Sequence, residues 1–195
     1  NVGEAPGVNA YDKVDSETDE ILSYDFEDGL SDKSANEYDA ENGKNAEVKD
    51  GELVLKGGES YISTPLDKVG PEKELSFDIT LTQPAEPGQI LFEAEKDEDH
   101  EAYSTHNIRI MEDGTLGFTR EGYDYSFGYK LPVNQKMTLK IRTKNGSTVL
   151  IADGKEYKAT GSFTYEGDVK KTGITSSTLS LPLTRIGSDT NAVHA

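Results

Sequence analysis

"MTLKIRTKNGSTVLIADGKEYKAT", residues 137–160, decides the fold class. Met137, Leu139 and Ile141 stand at alternate positions, with Lys140 and Arg142 between them. A period of two marks a β-strand with one face toward a core and one toward water. Asn145-Gly146 and Asp153-Gly154 interrupt the run, and both dipeptides accept the positive φ of a tight hairpin turn. The stretch predicts a three-strand meander.

The same grammar extends outward. "ELSFDITLT" (74–82) puts Leu75, Phe77, Ile79 and Leu81 on one face, and Ser76, Asp78, Thr80 and Thr82 on the other. "QPAEPGQ" ends that strand and "QILFEA" begins another. "HNIRIMEDGTLGFTR" (106–120) reads as strand, Asp-Gly turn, strand. "ELVLK", "YIST" and "LSLPLTRIG" complete the set, and no stretch has helical periodicity. About ten short strands with tight turns predict an all-β, two-sheet antiparallel β-sandwich. Residues 1–20 are polar and acidic without periodicity and read as a linker, which leaves 21–195 for the sandwich.

The chain has 195 residues, 33% of them hydrophobic, so a single domain with a modest core is expected. Its net charge is -17, and the acids are concentrated in the first two thirds. That balance argues against nucleic acid, whose phosphates demand basic patches, and against anionic membrane surfaces. No apolar run reaches the length of a membrane span. There are no cysteines, which excludes disulfides, thiolate metal sites and cysteine nucleophiles. The opening "NVGEAPGV" reads as the edge of a piece cut from a longer protein.

Three stretches are candidates for chemistry. The acidic run "EAEKDEDHE" (93–101) alternates carboxylates as β-sandwich glucanases do around a glycosidic bond. Lys96, Glu98 and His100 lie between them, where a catalytic strand needs apolar anchors, so the run reads as a solvated loop. Nothing nearby would keep one carboxyl protonated, and no nucleophile elbow or phosphate loop occurs. The chain is therefore expected not to be an enzyme by itself. "DFEDGLSDKSANEYD" (25–39) gathers hard oxygen ligands of the kind Ca²⁺ takes, without EF-hand spacing. Asp28 and Asp32, with Asp189 from the far end of the chain, form a candidate calcium site, and an acidic surface loop is the other reading.

"EGYDYSFGYKLP" (121–132) is the third. Leu116, Phe118 and Arg120 share a face before the turn at Glu121-Gly122. Tyr123, Tyr125, Phe127 and Tyr129 share a face after it. In one reading this aromatic face is core or covers a sheet edge. In the other, Tyr123 or Tyr125 stacks on a sugar while Arg120 and Asp124 bond its hydroxyls. Tyr103 and His106 join the same set of candidates.

"GTLGFTREGYDYSFGYKLPVNQKMTLKI", "STVLIADGKEY" and "LPLTRIGS" together resemble the laminin-G-like, concanavalin A-type jelly-roll domain. That variant is appended to secreted bacterial glycoside hydrolases of the family-20 β-N-acetylhexosaminidase and lacto-N-biosidase type. The likeness covers about residues 21–190 and rests most on "REGYDYSF…LP". It implies a non-catalytic, extracellular or wall-attached module that binds glycans ending in Gal or GlcNAc. The alternative it implies is a structural accessory that packs on a catalytic domain. It also implies calcium, which many members of the wider superfamily bind. Lys136-Met137 stands where that family usually has a tryptophan. Relatives continue into a last strand after "RIGSDTNAVHA", so that strand is expected to be missing or supplied by the parent protein.

Overall fold

The structure, a computed structural model, describes residues 20–94, 106–120, 122–161, 164–166, 168–171 and 177–195. Among the described residues there is no helix. The strands are β1 Glu41–Lys44, β2 Ala46–Lys49, β3 Glu52–Ser63, β4 Lys68–Val69, β5 Glu74–Ile79, β6 Ile90–Glu93, β7 His106–Ile110 and β8 Leu116–Arg120. They continue as β9 Tyr123–Tyr129, β10 Met137–Lys144, β11 Ser147–Ala152, β12 Lys155–Lys158, β13 Thr160–Gly161, β14 Thr164–Glu166, β15 Val169–Lys171, β16 Leu181–Pro182 and β17 Arg185–His194.

They form an antiparallel two-sheet β-sandwich. One sheet has nine strands, ordered β1-β3-β17-β6-β7-β8-β9-β13 with β2 also paired to β3. The other has four, ordered β12-β11-β10-β5. The elements outnumber the expected strands because bulges and short pairs, such as β16 with β4, interrupt what the sequence reads as single runs.

The meander of 137–160 is β10, β11 and β12, turned at Gly146 (φ 83) and at Asp153-Gly154 (φ 51 and 73). Along β10 the predicted alternation holds: Met137, Leu139 and Ile141 are buried, and Lys140 and Arg142 point away. Leu139, Ile141 and Leu150 are 0% exposed, and each such side chain contributes roughly 1.5–3 kcal/mol by leaving water. Two aromatic contacts bridge the layers. Phe77 of β5 meets Phe92 of β6 edge-on at 5.0 Å, and Tyr129 of β9 meets Tyr157 of β12 at 5.2 Å.

The C-terminal strand is the surprise of the topology. "LSLPLTRIG" reads as one strand, yet the long strand is the polar-looking "RIGSDTNAVH" of β17. It inserts between β3 and β6 at the middle of the large sheet. Gly187 permits the insertion, since a Cβ there would meet the Ser60 carbonyl oxygen at 2.2 Å, and its φ is +96. A bulge follows in which the Ser188 hydroxyl accepts from the N–H groups of Thr190 and Asn191.

Candidate functional site

Register gives the large sheet two faces of opposite character. Ile62, Ile186, Phe92, Ile108, Phe118 and Tyr125 pair side by side across β3, β17, β6, β7, β8 and β9. Phe92, Ile108, Phe118 and Tyr125 belong to the core, Ile186 packs half-buried against it, and Ile62 is buried at the end of the row. The next position in each strand belongs to the other face: Ser63, Arg185, Glu93, Asn107, Thr119 and Asp124. A continuous polar row therefore crosses the sheet opposite the core. The candidate site is this row together with Arg109, two residues along β7 from Asn107.

The row is polar and yet buried: Glu93, Asn107 and Thr119 are exposed by 6%, 5% and 8%. Arg185 Nε donates to Glu93 Oε2 at 2.7 Å, and its Nη2 lies 3.5 Å from Asp189 Oδ2. The same Glu93 oxygen accepts from the Asp189 N–H at 3.2 Å, because the β17 bulge turns that amide toward it. The Arg185 guanidinium also stands 5.6 Å from the centre of the Tyr61 ring, within range of a cation–π contact. At the other end, the Thr119 hydroxyl donates to Asp124 Oδ1 at 2.6 Å.

Two atoms break this pattern of satisfaction. Asn107 Oδ1 and Arg109 Nε are buried without a hydrogen-bond partner among the described residues. Buried polar groups are nearly always paired, so each such atom needs an explanation. One is an acceptor and the other a donor, and their residues lie roughly 6.5 Å apart along the strand. A ligand that both donates and accepts at that spacing would satisfy both.

The residues singled out in the sequence are distributed differently. Tyr125 is 2% exposed, stacked on Phe118 at 4.8 Å with an 18° interplanar angle. Phe127 is buried 5.7 Å from the same ring. Tyr123 and Tyr129 are half-buried against the core. The four aromatics do share a face, and it is the core face. Arg120 and His106 sit in register with Tyr123 at the end of that face, with His106 buried. Asp124 alone of the hairpin candidates belongs to the polar row. Tyr103 and most of the acidic run lie outside the described residues. Glu93, which opens that run, is not in a solvated loop but in β6, paired with Arg185.

The calcium candidates are not brought together. Asp32 is buried, and its Oδ1 accepts from the N–H groups of Ser23 and Ser34 at 2.8 and 2.9 Å. Its Oδ2 accepts from the Ser34 hydroxyl and the Tyr38 N–H, both at 2.8 Å. The carboxylate is thereby committed to organising its own loop. Asp28 is exposed and paired with Lys33 at 3.3 Å, while Asp189 pairs with Arg185. As arranged, these three donors do not fit one cation, and among the described residues no other acidic or histidine group does. In this loop the Tyr24 hydroxyl donates to the Tyr38 carbonyl at 2.5 Å. Burial first, then the Asp32 and Asp39 carboxylates, push its phenol well above the ordinary range.

Sequence reasoning missed Asn107, Arg109, Thr119 and Arg185. The signal was present in "HNIRI", where Asn and Arg alternate with apolar residues on the other face. Compared with known proteins, the chain matches no family model and no curated protein.

Proposed function

We propose that this chain is a non-catalytic carbohydrate-binding module of a secreted or cell-surface bacterial glycan-degrading enzyme. The observation that carries the reading is the pair Asn107 Oδ1 and Arg109 Nε, which have no partner among the described residues and sit in a buried polar row. A sugar hydroxyl both donates and accepts, the two capacities that Asn107 Oδ1 and Arg109 Nε call for. Glu93 and Asp124 supply further acceptors, and Tyr61 an aromatic neighbour. Glycans ending in Gal or GlcNAc are the class that the resemblance to glycosidase-appended jelly rolls suggests.

Spacing supports a binding role over a hydrolytic one. Glu93 and Asp124 are separated by three inter-strand steps, about 14 Å, beyond the roughly 5–9.5 Å that flanks a glycosidic bond. The Glu93 and Asp189 carboxylates are both engaged by the Arg185 guanidinium.

A glycan array tests the reading, run with calcium and again with chelator. Hits on Gal- or GlcNAc-terminated glycans that vanish with Asn107→Leu are expected. Loss under chelator would bring calcium into the binding. A blank array from a folded sample would sink the lectin reading. It would leave the second one, an accessory domain packed on a catalytic partner, which the half-buried apolar side chains Leu75, Phe77 and Ile79 on strand β5 at the sheet edge favour.

A further inference from the structure

The four-stranded sheet ends at β5, which hydrogen-bonds on one side only, to β10, among the described residues. Beyond that edge the core face of the large sheet lies under an open groove of ≈ 970 Å³. Leu75, Phe77 and Ile79 form its wall on β5. They stay half-buried, although Ile141, Leu139 and Met137, their partners in register on β10, are buried. Leu53 of β3 and Ile186 of β17 add to the lining, and both are likewise half-buried. A sandwich layer has stopped one strand short, with an apolar floor and a free backbone edge side by side.

The rim adds a sign. Acidic side chains lining the groove outnumber basic ones six to two: Glu20, Asp25, Glu27, Asp50, Glu52 and Asp78 against Lys49 and Lys136. Lys136 is itself paired with Asp78 at 3.8 Å. An occupant must therefore be apolar on one side, cationic on the other, and able to hydrogen-bond a strand edge. Residues 1–19 carry Glu4, Asp12, Asp15, Glu17 and Asp19 against Lys13 alone, and a second copy of the chain brings a net charge of -17. Both are net anionic and are repelled by the rim.

We propose that the groove takes an extended polypeptide strand from a separate protein. The strand pairs with β5, buries alternate apolar side chains and presents lysine or arginine to the acidic rim. Strand addition of this kind takes affinity from main-chain hydrogen bonds and selectivity from alternate side-chain pockets. It also covers an edge that would otherwise invite unspecific pairing. The proposal is independent of glycan binding, which concerns the opposite face of the large sheet.

The test is titration of the whole chain with a short peptide alternating valine and lysine, read by affinity and by amide hydrogen exchange. Binding should slow exchange across residues 74–79. A peptide with proline at alternate positions cannot donate to the ladder and should bind at least about tenfold more weakly. Leu75→Lys should weaken binding to a similar degree. So should the exposed rim pair Asp50→Lys with Glu52→Lys, which decides the matter if Leu75→Lys fails to fold. Binding without protection of β5, or equal binding of the proline peptide, overturns the proposal. So does β5 protection in the free chain that disappears on deleting residues 1–19, or on diluting a dimer.

Discussion

Arg185 and Glu93 form a 2.7 Å ion pair on the face of the large sheet turned away from the core, with side chains only 13% and 8% exposed. β17 and β6 are neighbours only because the C-terminal strand inserts into the sheet's centre. Removing one partner of a buried pair strands the other charge. Arg185→Met should therefore cost about 3–5 kcal/mol in urea unfolding, and adding Glu93→Leu should recover much of the loss. A cost under about 1 kcal/mol for Arg185→Met would mean that the pair is wetted like a surface one.

Asn107 should behave in the opposite way. Its Oδ1 has no partner to lose among the described residues, so Asn107→Leu should change stability by less than about 1 kcal/mol. Glycan binding should nevertheless disappear. Equal loss of stability and binding would mean that the residue serves the fold.

The hairpin aromatics separate by depth. Tyr125→Ala removes a buried ring from the stack on Phe118 and should cost about 3–5 kcal/mol. Tyr123→Ala, at a half-buried position, should cost under about 2 kcal/mol. Similar small costs at both sites, measured by thermal melting, would place Tyr125 nearer the surface than its packing indicates.

Tyr24 sets an alkaline limit. Its phenol titrates higher in the folded chain than in the unfolded one, because burial and then the Asp32 and Asp39 carboxylates disfavour phenolate. The unfolded chain ionises first, so this stabilisation is complete below about pH 10 and is lost as pH rises beyond it. Urea midpoints should fall above that pH, and Tyr24→Phe should flatten the fall. An unchanged slope in the variant would assign it to other groups.

Deleting residues 185–195 should leave the chain unfolded rather than trimmed. Ala192, Val193 and Ser188 of β17 are each 0% exposed, and both β3 and β6 would lose a partner. Retention of native β-sheet circular dichroism and a cooperative melt would contradict the central placement of this strand.

The elements legible in the sequence were those with local causes. The meander, its two turns and the shared face of Tyr123, Tyr125, Phe127 and Tyr129 follow from period-two alternation and from residues that tolerate positive φ. The acidic loop around Asp32 was visible as a cluster. Its use was not, because a carboxylate that binds its own backbone has the same composition as one that awaits an ion.

By itself, then, the sequence determined an all-β sandwich, since alternation and turn chemistry act within a few residues and need no partner. Only the tertiary structure decided which strands are neighbours. Pairing Arg185 with Glu93, or Asn107 with Thr119, depends on strand order and register, and a shift of one residue would exchange the two faces of the sheet. The polar row, the burial of Tyr125 and the groove beside β5 all belong to that second level. They arise from contacts between residues far apart in the chain, which local pattern does not encode.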